Sequence, residues 1–252
     1  MKSDNFTFWL ASNKSQNSIC SLTGTFLNID GRFAAGYIPP VIAGLSKPST
    51  YGEILNPIID DIITPLGRGY LNYTNTNCQT EDLLYFSGKS LLSPAVQSLG
   101  PELVRQPTIA SILEQNVLGA NTSATPIAPI YAYHSTNDEV IPYANASAAV
   151  NSWCDQGASV YFLTYGAGGH DTTEITNIPN AIQYTINAFN GDIATTGCSG
   201  GFTLNLSTPN PLAWGVQLEP ILTHLIDVLE DLGPEDENVQ KNIATLSKTV
   251  ST

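Results

Sequence analysis

The feature that most constrains this chain lies between Pro126 and Asn190, where a strand–loop–helix unit occurs and is then repeated. Pro126–Tyr133, PIAPIYAY, is a short apolar and aromatic run that ends in a polar loop, His134–Asp138. Residues 144–156 follow with an Ala-rich helical pattern. Ser159–Tyr165, SVYFLTY, is the second strand, ending in Gly166-Ala167-Gly168-Gly169-His170, and residues 178–190 read as the next helix. Two strands separated by a helix pair in parallel, because a tight turn cannot join parallel neighbours, and the helices cover the sheet. The fold class is therefore α/β, with a parallel sheet and flanking helices.

Upstream the period differs. Residues 21–45 read as loop, with a turn at Gly31 and a small-residue segment broken by Pro39-Pro40. From Tyr51 to Leu66, Ile54, Leu55, Ile58, Ile59, Ile62 and Ile63 recur at helical spacing, with Asp60 and Asp61 facing out. A polar loop, NYTNTNCQTED, precedes short helical pieces at Leu83–Phe86, Pro94–Leu99 and Thr108–Leu118. No strand is expected across residues 50–118, and an all-helical insert of this size suits a cap over a binding site. Beyond Ser199 the pattern is loop, then an amphipathic helix around Leu218–Leu232, closed by Gly233-Pro234.

Functional side chains of open α/β sheets sit in loops at the carboxyl ends of strands. Two such loops here offer an acid and a base, Asp138 and His170, which are 32 residues apart. That separation leaves room for one helix and one strand, so the carboxylate and the imidazole can meet at the sheet edge. There an acid fixes the ring tautomer and stabilises the imidazolium. The small residues before His170 let the backbone turn sharply, so that the ring enters the site. Glu139 stands as the alternative acid. His134 reads as a loop-packing residue, His224 as a surface residue of the tail helix, and Asp171 and Glu174 as caps of the following helix or shapers of the loop, with tuning of His170 as the alternative. The nucleophile is the gap: no Gly-x-Ser-x-Gly occurs, and Gly44-Leu45-Ser46-Lys47-Pro48 lacks the closing Gly and follows no strand.

Composition excludes other classes. Nine basic against 22 acidic residues give a net charge of −13, so no basic stripe exists for nucleic acid. Three dispersed His without HExxH leave no zinc ligand set, and no cofactor is expected. No run of 18 apolar residues occurs, so no transmembrane segment is expected. The first 20 residues contain no apolar run of seven, so they read as a truncated start rather than a signal peptide. An even number of cysteines (Cys20, Cys78, Cys154, Cys198) and sequons at Asn5, Asn13, Asn72, Asn121, Asn145 and Asn205 favour an oxidising, secretory route and a glycoprotein.

The segments TFLNIDGRFAAGYIPPVIAGLS (25–46), PTIASILEQNVLG (107–119), YAYHSTNDEVIPYANA (131–146), SWCDQGASVYFLTYGAGGHDTTE (152–174) and FNGDIATTGC (189–198) carry a resemblance. They resemble the C-terminal half of fungal secretory lipases of the lipase A type, which are α/β-hydrolases. In α/β-hydrolases the triad runs Ser, then acid, then His, and Asp138 followed by His170 fits that order.

The resemblance implies an atypical N-terminal segment at 1–24, a helical cap or lid at 25–120, and an α/β core bearing Asp138 and His170 at 121–198. A tail at 199–252 completes the chain. It implies a Cys154–Cys198 disulfide, and a Cys78 whose partner lies in an upstream half that this sequence lacks. That half would also hold the serine, the oxyanion-hole donors and the central strands, leaving a sheet edge exposed here. The implied activity is secreted triacylglycerol or carboxylester hydrolysis at a lipid–water interface, with lipid or ester as substrate. A chain without the serine is expected to be inactive and poorly soluble alone. The alternative is a non-catalytic lipase-like protein that binds lipid or a partner through its cap.

Overall fold

The computed structural model describes residues 22–204. The anticipated tail helix at Leu218–Leu232, with His224, Cys20 and the sequons at Asn5, Asn13 and Asn205, lies outside them. The described residues form a helical region followed by a three-stranded sheet with two long helices.

The helical region opens with α1 (Leu22–Ile29), a 3-10 turn at Phe33–Tyr37 and α2 (Ile38–Leu45), where the sequence pattern suggested loop. The reason is visible in burial: Leu22, Thr25, Phe26 and Ile29 are all buried, at i, i+3, i+4 and i+7. Pro39 and Pro40 do not break a segment. They sit in the first turn of α2, where the absent N–H groups would have had no helical partner.

Helix α3 (Gly52–Ile62) carries the expected stripe with Asp60 and Asp61 exposed, although Ile54 of that stripe faces outward. The chain extends at Ile63, Thr64 then caps α4 (Pro65–Thr74) by accepting the Gly67 N–H at 3.1 Å, and the anticipated polar loop begins inside that helix. Helix α5 (Gln79–Phe86) follows. Pro94–Leu99 is not helical; it is a run of turns in which Gln97 makes an isolated antiparallel bridge with Ile63. A second 3-10 turn, Gly100–Arg105, leads into α6 (Pro107–Gln115).

These helices enclose one apolar core, built around Phe26, Ile29, Ile38, Leu83, Phe86, Leu92 and Val104. Close approach shapes it. A Cβ on Gly36 would lie 2.5 Å from the Leu83 Cα, so only glycine lets the first 3-10 turn rest against α5. An apolar cavity of about 80 Å³ remains inside, between Phe26, Ile38, Leu55, Ile62 and Leu113.

The sheet runs β1 (Ile130–Ser135), β2 (Val160–Tyr165) and β3 (Cys198–Thr203), ordered β1-β2-β3 and wholly parallel. Ile130 pairs with Val160 and Ser135 with Tyr165; Val160 pairs with Cys198 and Tyr165 with Thr203. The crossovers are α7 (Tyr143–Asp155) and α8 (His170–Asn190). Two elements differ from expectation. The third strand occupies residues assigned to a loop tail from Ser199. Helix α8 starts at His170 rather than at 178, with Pro179 inside it.

A small core of Val150, Trp153, Ala158 and Val160 joins α7 to β2. The Cys154–Cys198 disulfide ties α7 to β3, with Cα atoms 5.9 Å apart. Cys78 is free and exposed. Of the sequons in the described residues, Asn72 and Asn121 are exposed, whereas Asn145 is 1% exposed and out of reach of glycosylation in the folded state. No described helix is long and apolar enough to cross a membrane.

Candidate active site

The two loops that leave β1 and β2 face each other at the carboxyl end of the sheet, and polar groups lock them together. The Ser135 hydroxyl, fully buried, donates to the Gly168 carbonyl at 2.6 Å and accepts the Asn137 N–H at 3.0 Å. The Asn137 amide reaches the Gly166 carbonyl at 3.1 Å. Gly168 itself has φ +86°, a conformation side chains resist, and it turns the chain directly into α8. Neither Ser135 nor Asn137 was singled out from the sequence. The signal available was a Ser followed two residues later by Asn, the pattern of a hydroxyl-capped turn.

Asp138 is held from both sides. Its Oδ1 accepts the N–H groups of Val140 and Ile141 at 2.9 and 2.8 Å. Val140 and Ile141 are themselves buried in the core of the helical region, so the acid's loop is anchored outside the sheet. Its Oδ2 lies 2.9 Å from His170 Nδ1 and 3.3 Å from His134 Nε2. The carboxylate is 4% exposed. Burial alone would raise its pKa, but the two imidazoles and the Ile141 N–H outweigh that and hold it below the usual carboxylate range.

His134 Nε2 faces two acceptors, the Asp138 carboxylate and the Ile141 carbonyl at 3.0 Å, so Nε2 bears the proton. Burial holds His134 below the ordinary imidazole value, making it a neutral donor that buttresses the loop. His170 is the opposite case. Burial pushes its imidazolium down, but the charge and hydrogen bond of Asp138, with Asp171 and Glu139, raise its pKa to about 9. With Nδ1–H directed at Asp138, Nε2 is the ring atom left to exchange a proton.

Glu139 is not on the ring. Its Oε2 accepts the backbone N–H of His170 at 3.1 Å, and burial with the Asp138 charge raises its pKa to about 7. A cavity of about 290 Å³ opens in front of His170, bordered by Tyr37, Tyr133, Asp138, Asp171 and Glu174. The Tyr37 ring meets the imidazole edge-on at 6.3 Å between centroids. Ser135 is the serine bordering this cavity, and its hydroxyl is spent on Gly168. Ser46 lies at the end of α2, where its hydroxyl donates to the Ile42 carbonyl at 2.7 Å. Asp171 sits in the first turn of α8, and Glu174 follows one turn later. Among the described residues no group of three His, Cys, Asp or Glu side chains is arranged to hold a metal ion.

The chain as a whole is similar to known proteins. A secreted triacylglycerol lipase of Malassezia globosa is 28% identical over 227 residues, 88% of this chain and 47% of that protein. One from Malassezia furfur is 30% identical over 218 residues, 85% of this chain and 44% of that protein. The chain thus spans less than half the length of these relatives. Among solved structures, Candida antarctica lipase A in its closed state superposes with a TM-score of 0.64 at 20% identity, over 82% of this chain and 48% of that one. That likeness makes the fold an α/β-hydrolase. The family model for secretory lipases matches residues 15–197, and this chain belongs to the secretory lipase family.

Proposed function

We propose that this chain supplies the acid and the base of a Ser-Asp-His triad in a secreted triacylglycerol lipase, with Asp138 as acid and His170 as base. One observation carries the reading: Asp138 Oδ2 and His170 Nδ1 lie 2.9 Å apart, at the carboxyl ends of adjacent parallel strands. The names of the relatives support a secreted enzyme with triacylglycerol as substrate, and a substrate that apolar is met at a lipid–water interface. Ser135, the described serine that borders the cavity, donates to the Gly168 carbonyl, which supports a nucleophile supplied from outside residues 22–204.

In this mechanism His170 Nε2 takes the serine proton as the hydroxyl oxygen attacks the ester carbonyl. Asp138 holds the resulting imidazolium, which then delivers the proton to the departing alkoxide. Water attacks the acyl-enzyme by the same route and frees the fatty acid. Because the acidic surroundings raise the His170 pKa to about 9, the neutral base forms only as pH rises, and turnover climbs toward alkaline pH.

The test is complementation. Residues 1–252 alone should not hydrolyse a short-chain chromogenic ester. Fused behind the serine-bearing half of a full-length relative, they should hydrolyse it, and His170→Ala should abolish that activity. Activity of the fusion that survives His170→Ala would overturn the assignment. A correctly folded fusion with no activity would favour a non-catalytic lipid-binding role instead.

A further inference from the structure

Asp138 and Glu139 are neighbours in the chain, and both reach His170, by different routes. Asp138 meets the ring at Nδ1, while Glu139 Oε2 accepts the backbone N–H at 3.1 Å. His170 is the first residue of α8, so its N–H is one of the donors that a helix cannot satisfy internally. The residue before it, Gly169, has no side chain with which to cap that end. A carboxylate there meets both the unpaired N–H and the positive end of the helix dipole. Glu139 is fastened in turn, since its own carbonyl accepts the Asn28 amide of α1 at 3.0 Å. A line of hydrogen bonds therefore runs from the helical region through Glu139 into the start of α8.

We infer that Glu139 is a positioning residue for His170: it caps α8 from a distance, and so fixes the backbone from which the imidazole reaches Asp138. This rests on the reading of His170 as the base and adds a residue that acts through it. Two adjacent carboxylates thus divide one task, one holding the ring and the other holding the main chain. The same placement gives Glu139 a second effect, because its charge favours the imidazolium. The other groups facing His170 are Asp138 from the same loop, Asp171 and Glu174 from α8, His134 from β1, and Tyr37 from the first 3-10 turn.

Proton NMR on the 1–252 chain tests this without needing turnover. Wild type should show a far-downfield Nδ1–H resonance from His170, a slowly exchanging His170 amide and an imidazole titrating above its ordinary value. Glu139→Gln keeps an oxygen acceptor but loses the charge. It should retain the resonance while lowering the His170 pKa by about one unit. Glu139→Ala should lower the pKa equally, weaken the resonance and speed exchange of the His170 amide. If both variants leave the pKa and the amide exchange as in wild type, the positioning role is overturned. If Glu139→Ala does not fold, as judged by near-UV circular dichroism, the His170 amide of Glu139→Gln decides: the weaker neutral acceptor should speed its exchange, and a rate equal to wild type would overturn the positioning role. Asp138→Asn separates the two levels: it should remove the resonance, and a resonance that persists would overturn the acid–base pair itself rather than the part assigned to Glu139.

Discussion

The helical and sheet regions are stabilised by different means. Helices α1 to α6 bury a continuous apolar core in which Phe86 and Ala35 are wholly inaccessible, and among the described residues no disulfide joins them. The sheet region has four residues in its buried core, a disulfide, and large apolar side chains in solvent: Phe189 is 89% exposed and Phe202 63%. Packing determines the first region, whereas directional bonds determine the second. The candidate acid and base belong to the second but are anchored in the first, through Val140, Ile141 and Asn28. Chemistry that needs fixed distances is thus placed on loops whose far ends are buried in a rigid body.

The largest expected effect breaks the bond between the loops at its centre. In the serine-complete enzyme, Asp138→Asn should lower kcat by about 10⁴-fold, because the amide favours the wrong His170 tautomer. The fold should survive, since the asparagine oxygen can still accept the Val140 and Ile141 N–H groups. Ester hydrolysis beside thermal unfolding checks both halves of that statement, and a loss of activity that merely tracks a loss of stability would assign Asp138 to the scaffold alone.

The second effect separates the two regions by stability. Replacing Cys154 and Cys198 by Ser reopens a loop of 44 residues, which costs roughly 4 kcal/mol on the chain-entropy argument. The loss should fall on the sheet. Hydrogen exchange should accelerate in β2, β3 and α7 while the α1 and α5 amides keep their protection. Uniform acceleration would show that the regions unfold as one unit.

How much of this was legible follows the same division. Strands β1 and β2 stand out as apolar runs closed by polar or glycine-rich loops, and a parallel pair places Asp138 and His170 together. Strand β3, CSGGFT, was missed because Gly200 and Gly201 carry no strand preference; its geometry comes from pairing with β2, a non-local contact. The first turns of α8 were missed because Thr172, Thr173, Ile175 and Thr176 are β-branched and Pro179 looks like a start. Their burial, not their propensity, makes them helical. The α1 stripe was present but only two turns long. Glu139's bond to the His170 main chain was out of reach of any pattern, since it depends on where two loops cross in space.

A third effect is set by pH. The folded His170 pKa of about 9 exceeds the ordinary 6.5, so the folded state holds its proton more tightly than the unfolded one. Its stabilisation is complete below pH 6.5 and is lost as pH rises through 9. The magnitude is about 3 kcal/mol at 1.36 kcal/mol per unit. Glu139, raised from 4.5 to about 7, acts with the same sign at lower pH, and its contribution disappears between those values. Stability should therefore decline from mild acid to pH 9, while turnover of the complete enzyme rises over the upper part of that range. Denaturant midpoints across pH for wild type and His170→Ala check this; a variant curve with the same slope between pH 6.5 and 9 would assign the decline to other groups.

The smallest effect tests whether the polar bonds between the β1 and β2 loops set geometry or only stability. Ser135→Ala removes a hydroxyl that bridges the Gly168 carbonyl and the Asn137 N–H, in a site with no solvent access. The Gly168 carbonyl then loses a partner in a buried place, which costs about 1–3 kcal/mol, whereas Asn137 is exposed and its N–H can turn to water. The alanine methyl fits where the serine Cβ already sits, so no cavity or clash accompanies the change. The consequence for chemistry depends on the Gly168 peptide, the hinge that aims α8 and with it His170. If the hydroxyl fixes that peptide, the complete enzyme carrying Ser135→Ala should lose kcat by more than its stability loss explains, with KM nearly unchanged, because misalignment of the base is felt in the transition state and not in substrate binding. If instead kcat is unchanged at a temperature where the variant is fully folded, the Asp138 bond and the Glu139 cap hold His170 by themselves, and Ser135 contributes only to the stability of the sheet region.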